Sequence, residues 1–133
     1  MSDEPAVLDA SVAVDALLGG ARGKRARSAI DRHLLVAPAH IDLEVASALA
    51  RLQRAGTLTS HQTARLLPKW QALPADRIPL SILFDTAWAL RGSLRISYAF
   101  YAAAALRCDC PLLTSDSRLA RAGVKGLQIH LLG

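Results

Sequence analysis

The amino-acid sequence predicts an α/β protein, a three-layer α/β/α domain around a central, mainly parallel sheet. Three observations carry that expectation. Short apolar runs of strand length alternate with longer stretches of helical period, the pattern that builds parallel sheets through helical crossovers. At 133 residues the chain is long enough for one domain with a core that needs no disulfide or metal staple. Apolar residues make up 52% of it, charged residues 20% and aromatics only 5%, so helices packed through small side chains are expected in an ordinary globular protein.

Residues 1–5 are expected to form a flexible N-terminus. AVLDA (6–10) then suits a buried strand ending at Asp9. In SVAVDALLG (11–19), Ser11 reads as an N-cap, a helical period follows, and Gly19-Gly20 is the stop. ARGKRARSAIDR (21–32) reads as a helix whose solvated face carries Arg22, Lys24, Arg25 and Arg27. HLLVAP (33–38) is a second strand, closed by Pro38. From 39 to 55, Ile41, Val45, Ala48, Leu49 and Leu52 share one helical face, and Gly56 ends the helix.

LTSHQTARLLPKWQAL (58–73) makes another helix, bent or interrupted at Pro68. DRIPL (76–80) is a short strand or extended link, and SILFDTAWALRGS (81–93) a helix stopped at Gly92. Ser97 reads as the N-cap of a helix running to about Arg107. PLLTSD (111–116) is a buried strand, SRLARAG (117–123) a short helix and LQIHLL (127–132) a last strand. No repeat, linker or low-complexity segment interrupts the series, so 1–133 is read as a single domain.

Lys and Arg outnumber Asp and Glu by 16 to 11, a basic balance that suits a polyanionic partner or plain solubility. Cys108 and Cys110 form a C-x-C unit in a helix-to-strand turn. Alternate residues seldom meet disulfide geometry, and two thiols without further Cys or His make no zinc site, so both are read as small packing residues in a reducing compartment. The opening MSDEP is acidic with no apolar core, and the longest apolar run, 98–106, is too short for a bilayer. A cytoplasmic protein with no membrane partner is expected.

In an open parallel sheet, chemistry collects outside the carboxyl ends of the strands. Asp9 ends the first strand and Asp116 ends PLLTSD, so both reach the same edge from distant parts of the chain. Each also reads as the N-cap of the helix that follows. Glu44, within two turns of the start of the 39–55 helix, borders its apolar stripe, and Asp42 competes with it on the opposite border. Either also reads as an early acid that favours the helix dipole. A half-buried carboxylate cluster is costly unless a cation occupies it, and Mg²⁺ or Mn²⁺ suits such donors and brings phosphate chemistry with it.

Other chemistries fit less well. A receiver domain needs a Lys at a strand end, and a haloacid-dehalogenase-type phosphatase needs D-x-D where this chain has Asp9-Ala10-Ser11. No Gly-rich phosphate loop is present. The histidines (33, 40, 61 and 130) are scattered and read as structural or solvated.

AVLDASVAVDALL, APAHIDLEVASALARL and LRIS-x-AFYAAAALRCDCPLLTSDSRLARA resemble the motifs of PIN-domain ribonucleases, above all the VapC-type toxins of bacterial toxin–antitoxin pairs. The likeness runs from about residue 6 to the C-terminus. It implies a PIN-like fold, Mg²⁺- or Mn²⁺-dependent endoribonuclease activity, a homodimer, and a cognate VapB-like antitoxin through which alone DNA would be bound. The acidic positions of the family carry over as Asp9, Glu44 and Asp116, with Ser11 and Thr114 as small polar support. In similar toxins the segment written here ISYAFY has Asp at the place of Tyr98. A neutral phenol has no comparable affinity for a hard divalent ion, so the resemblance implies an impaired nuclease. Tyr98 also reads as an ordinary packing aromatic on the face of Tyr101, Ala102 and Ala105.

Arg22, Lys24, Arg25, Arg27, Arg95, Arg118 and Arg121 are candidates for the backbone of an RNA substrate, tRNA among the options. The alternative is a catalytically silent PIN domain that works by binding antitoxin, with apolar helix surface around Trp70 and Trp88 as the contact. Core burial explains either Trp equally well.

Overall fold

The computed structural model describes residues 4–133. In chain order it holds β1 (Pro5–Leu8), α1 (Ala10–Leu18), α2 (Gly20–Asp31), β2 (Leu34–Pro38), α3 (Ile41–Arg54), α4 (Ser60–Ala72), β3 (Asp76–Ile78), α5 (Leu80–Ala89), α6 (Ile96–Cys108), β4 (Leu112–Thr114), α7 (Ser117–Ala120) and β5 (Ile129–Leu131). Residues 1–3 of the expected flexible N-terminus lie outside the described residues. Pro5 departs from that expectation: it opens β1, a strand position that needs no ladder donor.

The strands order as β3-β2-β1-β4-β5, and every neighbouring pair runs parallel. Helices flank the sheet: α1 packs with α2, α3 and α4, while α6 lies across β1, β2 and β4 and pairs with α5. Chain order reverses at β1, which has β2 on one side and β4 on the other. This is the topological switch point, so the carboxyl ends of β1 and β4 diverge around a crevice. Among the described residues no helix is long and apolar enough to cross a membrane.

β1 is so buried that Ala6, Val7 and Leu8 are all inaccessible, as a central parallel strand with helices on both faces must be. Ala99 and Ala102 to Ala105 of α6 are equally buried, and a helix of such small side chains can lie close against the sheet. Asp109 ends α6 in the left-handed region at φ 49°, which Asp tolerates better than most residues.

Helix starts depart most from expectation. Of the two N-cap candidates for α1, Asp9 rather than Ser11 holds the position. Arg95, not Ser97, precedes α6, because Arg95 is still extended and Ile96 is the first helical residue. Helix α4 runs through Pro68 without a break and starts at a reciprocal Thr59–Gln62 capping box. Helix α5 stops at Ala89, short of Gly92, in a turn closed by Ser93 N–H donating to Leu90 O.

The α1–α2 junction makes a first prediction. A Cβ on Gly23 would lie 2.7 Å from the backbone oxygen of Asp15. Helix propensity alone favours Ala over Gly by about 1 kcal/mol, yet a backbone clash costs about 1–3 kcal/mol. Gly23→Ala is therefore expected to lower the unfolding midpoint in denaturant; an unchanged or raised midpoint would mean that α2 shifts freely.

Candidate active site

The crevice beside β1 is a cleft of about 740 Å³ lined by Asp9, Ser11, Asp15, Arg22, Glu44, Ser47, Arg51, Tyr98, Ser115 and Asp116, among others. Each acid arrives on a different element. Asp9 directly follows β1, Asp116 follows β4, and Glu44 faces in from the first turns of α3.

Asp9 is 4% exposed, and its side chain makes no capping hydrogen bond to its helix. Its Oδ2 instead accepts from Ser11 Oγ at 2.6 Å and Thr114 Oγ1 at 2.7 Å. The same two hydroxyls tie the strand ends together, since Ser11 Oγ accepts from Ser115 N–H and Thr114 Oγ1 from Asp116 N–H, each at 3.0 Å. Burial pushes the Asp9 carboxyl above its ordinary range; the hydroxyl bonds oppose the shift and the nearby Glu44 charge adds to it.

Asp116 does cap its helix, accepting from Arg118 N–H at 2.9 Å. Its carboxylate also accepts from Arg118 Nε at 3.3 Å, Arg118 Nη2 at 3.2 Å and Tyr98 Oη at 2.5 Å. Burial raises its pKa, but the hydrogen bonds from Arg118 and Tyr98 outweigh burial and hold it at about 2. Tyr98 is in the first turn of α6, and burial together with the Asp116 charge pushes its phenol upward, so it stays a proton donor.

Glu44 Oε1 accepts from the fully buried Tyr101 Oη at 2.6 Å. His40, just before α3, places Nε2 3.1 Å from Ser97 O and 3.8 Å from Glu44 Oε1, tying the start of α6 to the start of α3. Among the described residues, no three His, Cys, Asp or Glu side chains converge as a group that would hold a metal ion.

Asp42 is elsewhere. It accepts from Trp70 Nε1 at 2.9 Å and from Arg77 Nε and Nη2 at 3.1 and 2.8 Å, which joins α3 to α4 and β3. The Arg77 bonds hold its carboxyl below the ordinary range. Trp70 is consequently buried and offers no docking surface, whereas Trp88 is 53% exposed beside Arg91. Both cysteines are free, and burial pushes Cys110 up to about 11, as suits a packing residue.

Of the basic candidates, Arg22 lines the cleft and Arg118 binds Asp116. Lys24 and Arg27 border a separate depression on α2, Arg25 is exposed on the same helix, and Arg95 and Arg121 are exposed at the ends of α6 and α7. Sequence reasoning missed polar lining residues, among them Asp15, Ser47, Arg51 and Ser115. Arg51 sits seven residues after Glu44 on the same helical face, with Ser47 between them, so their spacing was a usable signal. Asp15, which accepts from Ser115 Oγ at 2.7 Å and pairs with Arg22 at 3.5 Å, follows Ser11 by four residues on α1.

A parallel sheet whose switch point gathers acids from β1, α3 and β4 defines an acidic-cleft α/β domain. A family model described as the PIN domain matches residues 6–125, and the chain belongs to that family. Ribonuclease VapC3 of Mycobacterium tuberculosis is 42% identical over 90% of this chain and 88% of its own length. Ribonuclease VapC9 of the same species is 37% identical over 88% of this chain and 90% of its own. A solved toxin–antitoxin complex from Klebsiella pneumoniae shares the fold at a TM-score of 0.69 and 18% identity, covering 96% of this chain and 98% of that one. VapBC2 from Rickettsia felis, solved with a fragment of its promoter DNA, gives a TM-score of 0.68 at 10% identity over the same shares.

Proposed function

We propose that this chain is a cytoplasmic VapC-type toxin, by lineage an Mg²⁺- or Mn²⁺-dependent endoribonuclease neutralised by a VapB-like antitoxin, and impaired by Tyr98. The observation that carries the reading is the cleft itself, whose wall Asp9, Glu44 and Asp116 all line in a chain 42% identical to a VapC ribonuclease. As arranged, these donors do not fit a hard divalent ion: Thr114 and Ser11 hold Asp9, Tyr101 holds Glu44, and Tyr98 with Arg118 holds Asp116. In this chain Asp9 is the buried central charge, Ser11 and Thr114 orient it, and Arg22 and Arg51 offer phosphate contacts on the cleft wall.

The test is incubation with bulk tRNA and structured RNA in Mg²⁺ or Mn²⁺, with EDTA controls. Slow cleavage that EDTA abolishes is expected; cleavage of equal rate in EDTA would overturn the reading. RNA binding measured in EDTA should weaken steeply with salt. Arg22→Ala and Arg51→Ala should each flatten the log–log salt slope by about 0.7, the value for one single-strand phosphate contact. An unchanged slope would remove these residues from the RNA path.

A homodimer and an antitoxin complex are part of the same proposal, with DNA reached only through the antitoxin. The contact surface loses the buried Trp70, keeps Trp88 and gains Ile82, Phe84 and Ile96, large apolar side chains that remain about half exposed on α5 and at the start of α6. The clamp on Asp116 favours a second reading, a silent PIN domain that only binds its antitoxin. RNA left intact by wild type in Mn²⁺, under conditions where a Tyr98→Asp protein cuts, would support it.

A further inference from the structure

Asp116 is held from two sides, by Tyr98 and by Arg118, which the sequence marks only as a candidate RNA contact. We propose that Arg118 is a built-in counter-cation of Asp116 that keeps divalent ions away from this carboxylate separately from Tyr98. The proposal rests on the reading of Tyr98 and Asp116 as the flanks of a cation position.

The geometry is that of a fork closed on a carboxylate. Arg118 sends its backbone N–H and Nε to Asp116 Oδ1 at 2.9 and 3.3 Å, and Nη2 to Oδ2 at 3.2 Å. The same Nη2 donates to Tyr98 Oη at 3.2 Å, and Tyr98 Oη in turn donates to Oδ2. Both oxygens therefore already have donors, and one of these donors carries a charge that no ordinary pH removes. Among the described residues, the cations that line the cleft are Arg22, which pairs with Asp15, and Arg51, whereas Arg118, at its edge, pairs with Asp116. A divalent ion approaching Asp116 meets a like charge within about 4 Å, a repulsion that matters even in the high dielectric of a protein surface.

An Asp at position 98 is much shorter than Tyr, so its carboxylate would not take the place of the phenol oxygen that Arg118 now touches. Arg118 keeps its own bonds to Asp116, so restoring the acid alone leaves the internal cation in place. The two substitutions should be coupled, as contacting residues that share a partner generally are.

The experiment is Mn²⁺ binding to the full chain, followed by electron paramagnetic resonance of the free ion and by calorimetry. Wild type, Tyr98→Asp, Tyr98→Asp/Arg118→Ala and Tyr98→Asp/Arg118→Gln would be compared, with thermal melts to verify folding. Arg118 is 61% exposed in its side chain and its capping N–H belongs to the backbone, so both replacements preserve the start of α7. Both double variants are expected to bind Mn²⁺ about tenfold more tightly than Tyr98→Asp, and Asp116→Asn in either should return the weaker affinity. Equal affinity in Tyr98→Asp and both doubles would overturn the proposal, leaving Arg118 as a surface ion pair and the reading of Tyr98 intact. Absence of Mn²⁺ binding from every form would overturn the cation reading of the cleft, and this proposal with it.

Discussion

Tyr98→Asp is expected to raise Mn²⁺-dependent RNA cleavage by about 10²-fold, the scale of one preorganised stabilising group at a reacting centre. In the present chain Tyr98 sits in the first turn of α6. Its hydroxyl lies 2.5 Å from Asp116 Oδ2, and burial together with Asp116 keeps that hydroxyl protonated. Asp at this position supplies a fourth carboxylate from the first turn of α6, removes the ring from the cleft, and takes away one of the two donors on Oδ2 of Asp116, leaving Arg118 Nη2. Initial rates on bulk tRNA, with EDTA controls, measure the change. Tyr98→Phe separates the contributions: it frees Asp116 from the phenol without adding a charge, so it should stay near the wild-type rate. Cleavage by Tyr98→Asp no faster than wild type would show that three carboxylates suffice and that the aromatic is only packing.

Much of this was legible in the sequence, for identifiable reasons. Parallel strands buried on both faces read as short apolar runs, and AVLDA and PLLTSD sit where β1 and β4 form. The acids at strand ends were legible because topology, not side-chain detail, brings them to one edge. The start of α6 after Arg95 was not, because Ser97 carries the stronger local capping signal while tertiary contacts decide where the turn begins; for α1 both Asp9 and Ser11 read as N-caps, and the fold uses Asp9. Ser11 is drawn to Asp9 and to the backbone of Ser115, a partner more than a hundred positions away that no local window contains. The choice between Asp42 and Glu44 was equally hidden. Both border one apolar stripe, and only the placement of Arg77 and Trp70 draws Asp42 to the far side. Arg118 reads in the sequence as an RNA contact, and only the fold shows its guanidinium turned onto Asp116.

The same cleft should be a site where function and stability oppose each other, and Asp9→Asn exposes this. In a Tyr98→Asp background it should abolish most of the cleavage, a loss of about 10²-fold or more if Asp9 is the central charge. In metal-free buffer it should also stabilise the fold by about 1 kcal/mol, as substitutions that relieve an active-site strain commonly do. The Asn side chain retains an oxygen that can accept from Ser11 and Thr114, so the hydroxyl bridge between β1 and β4 survives while the buried charge disappears. The pH dependence fixes the sign. Burial raises the folded-state pKa of Asp9 above 3.8, so the fold binds that proton more tightly than the unfolded chain does. The contribution of Asp9 is then intact below its unfolded pKa and is lost as pH rises through its folded value. Asp116, held at about 2, behaves oppositely: its contribution is complete above its unfolded value and fades as pH falls toward 2. Melts in EDTA at about pH 3.5 and about pH 7 should therefore show Asp9→Asn stabilising only at the higher pH, and Asp116→Asn destabilising at both, since its contribution fades only toward about 2. If Asp9→Asn lowers the midpoint at both pH values, Asp9 is a structural link whose charge is well solvated. The cleft would then impose no stability cost that a bound cation needs to offset.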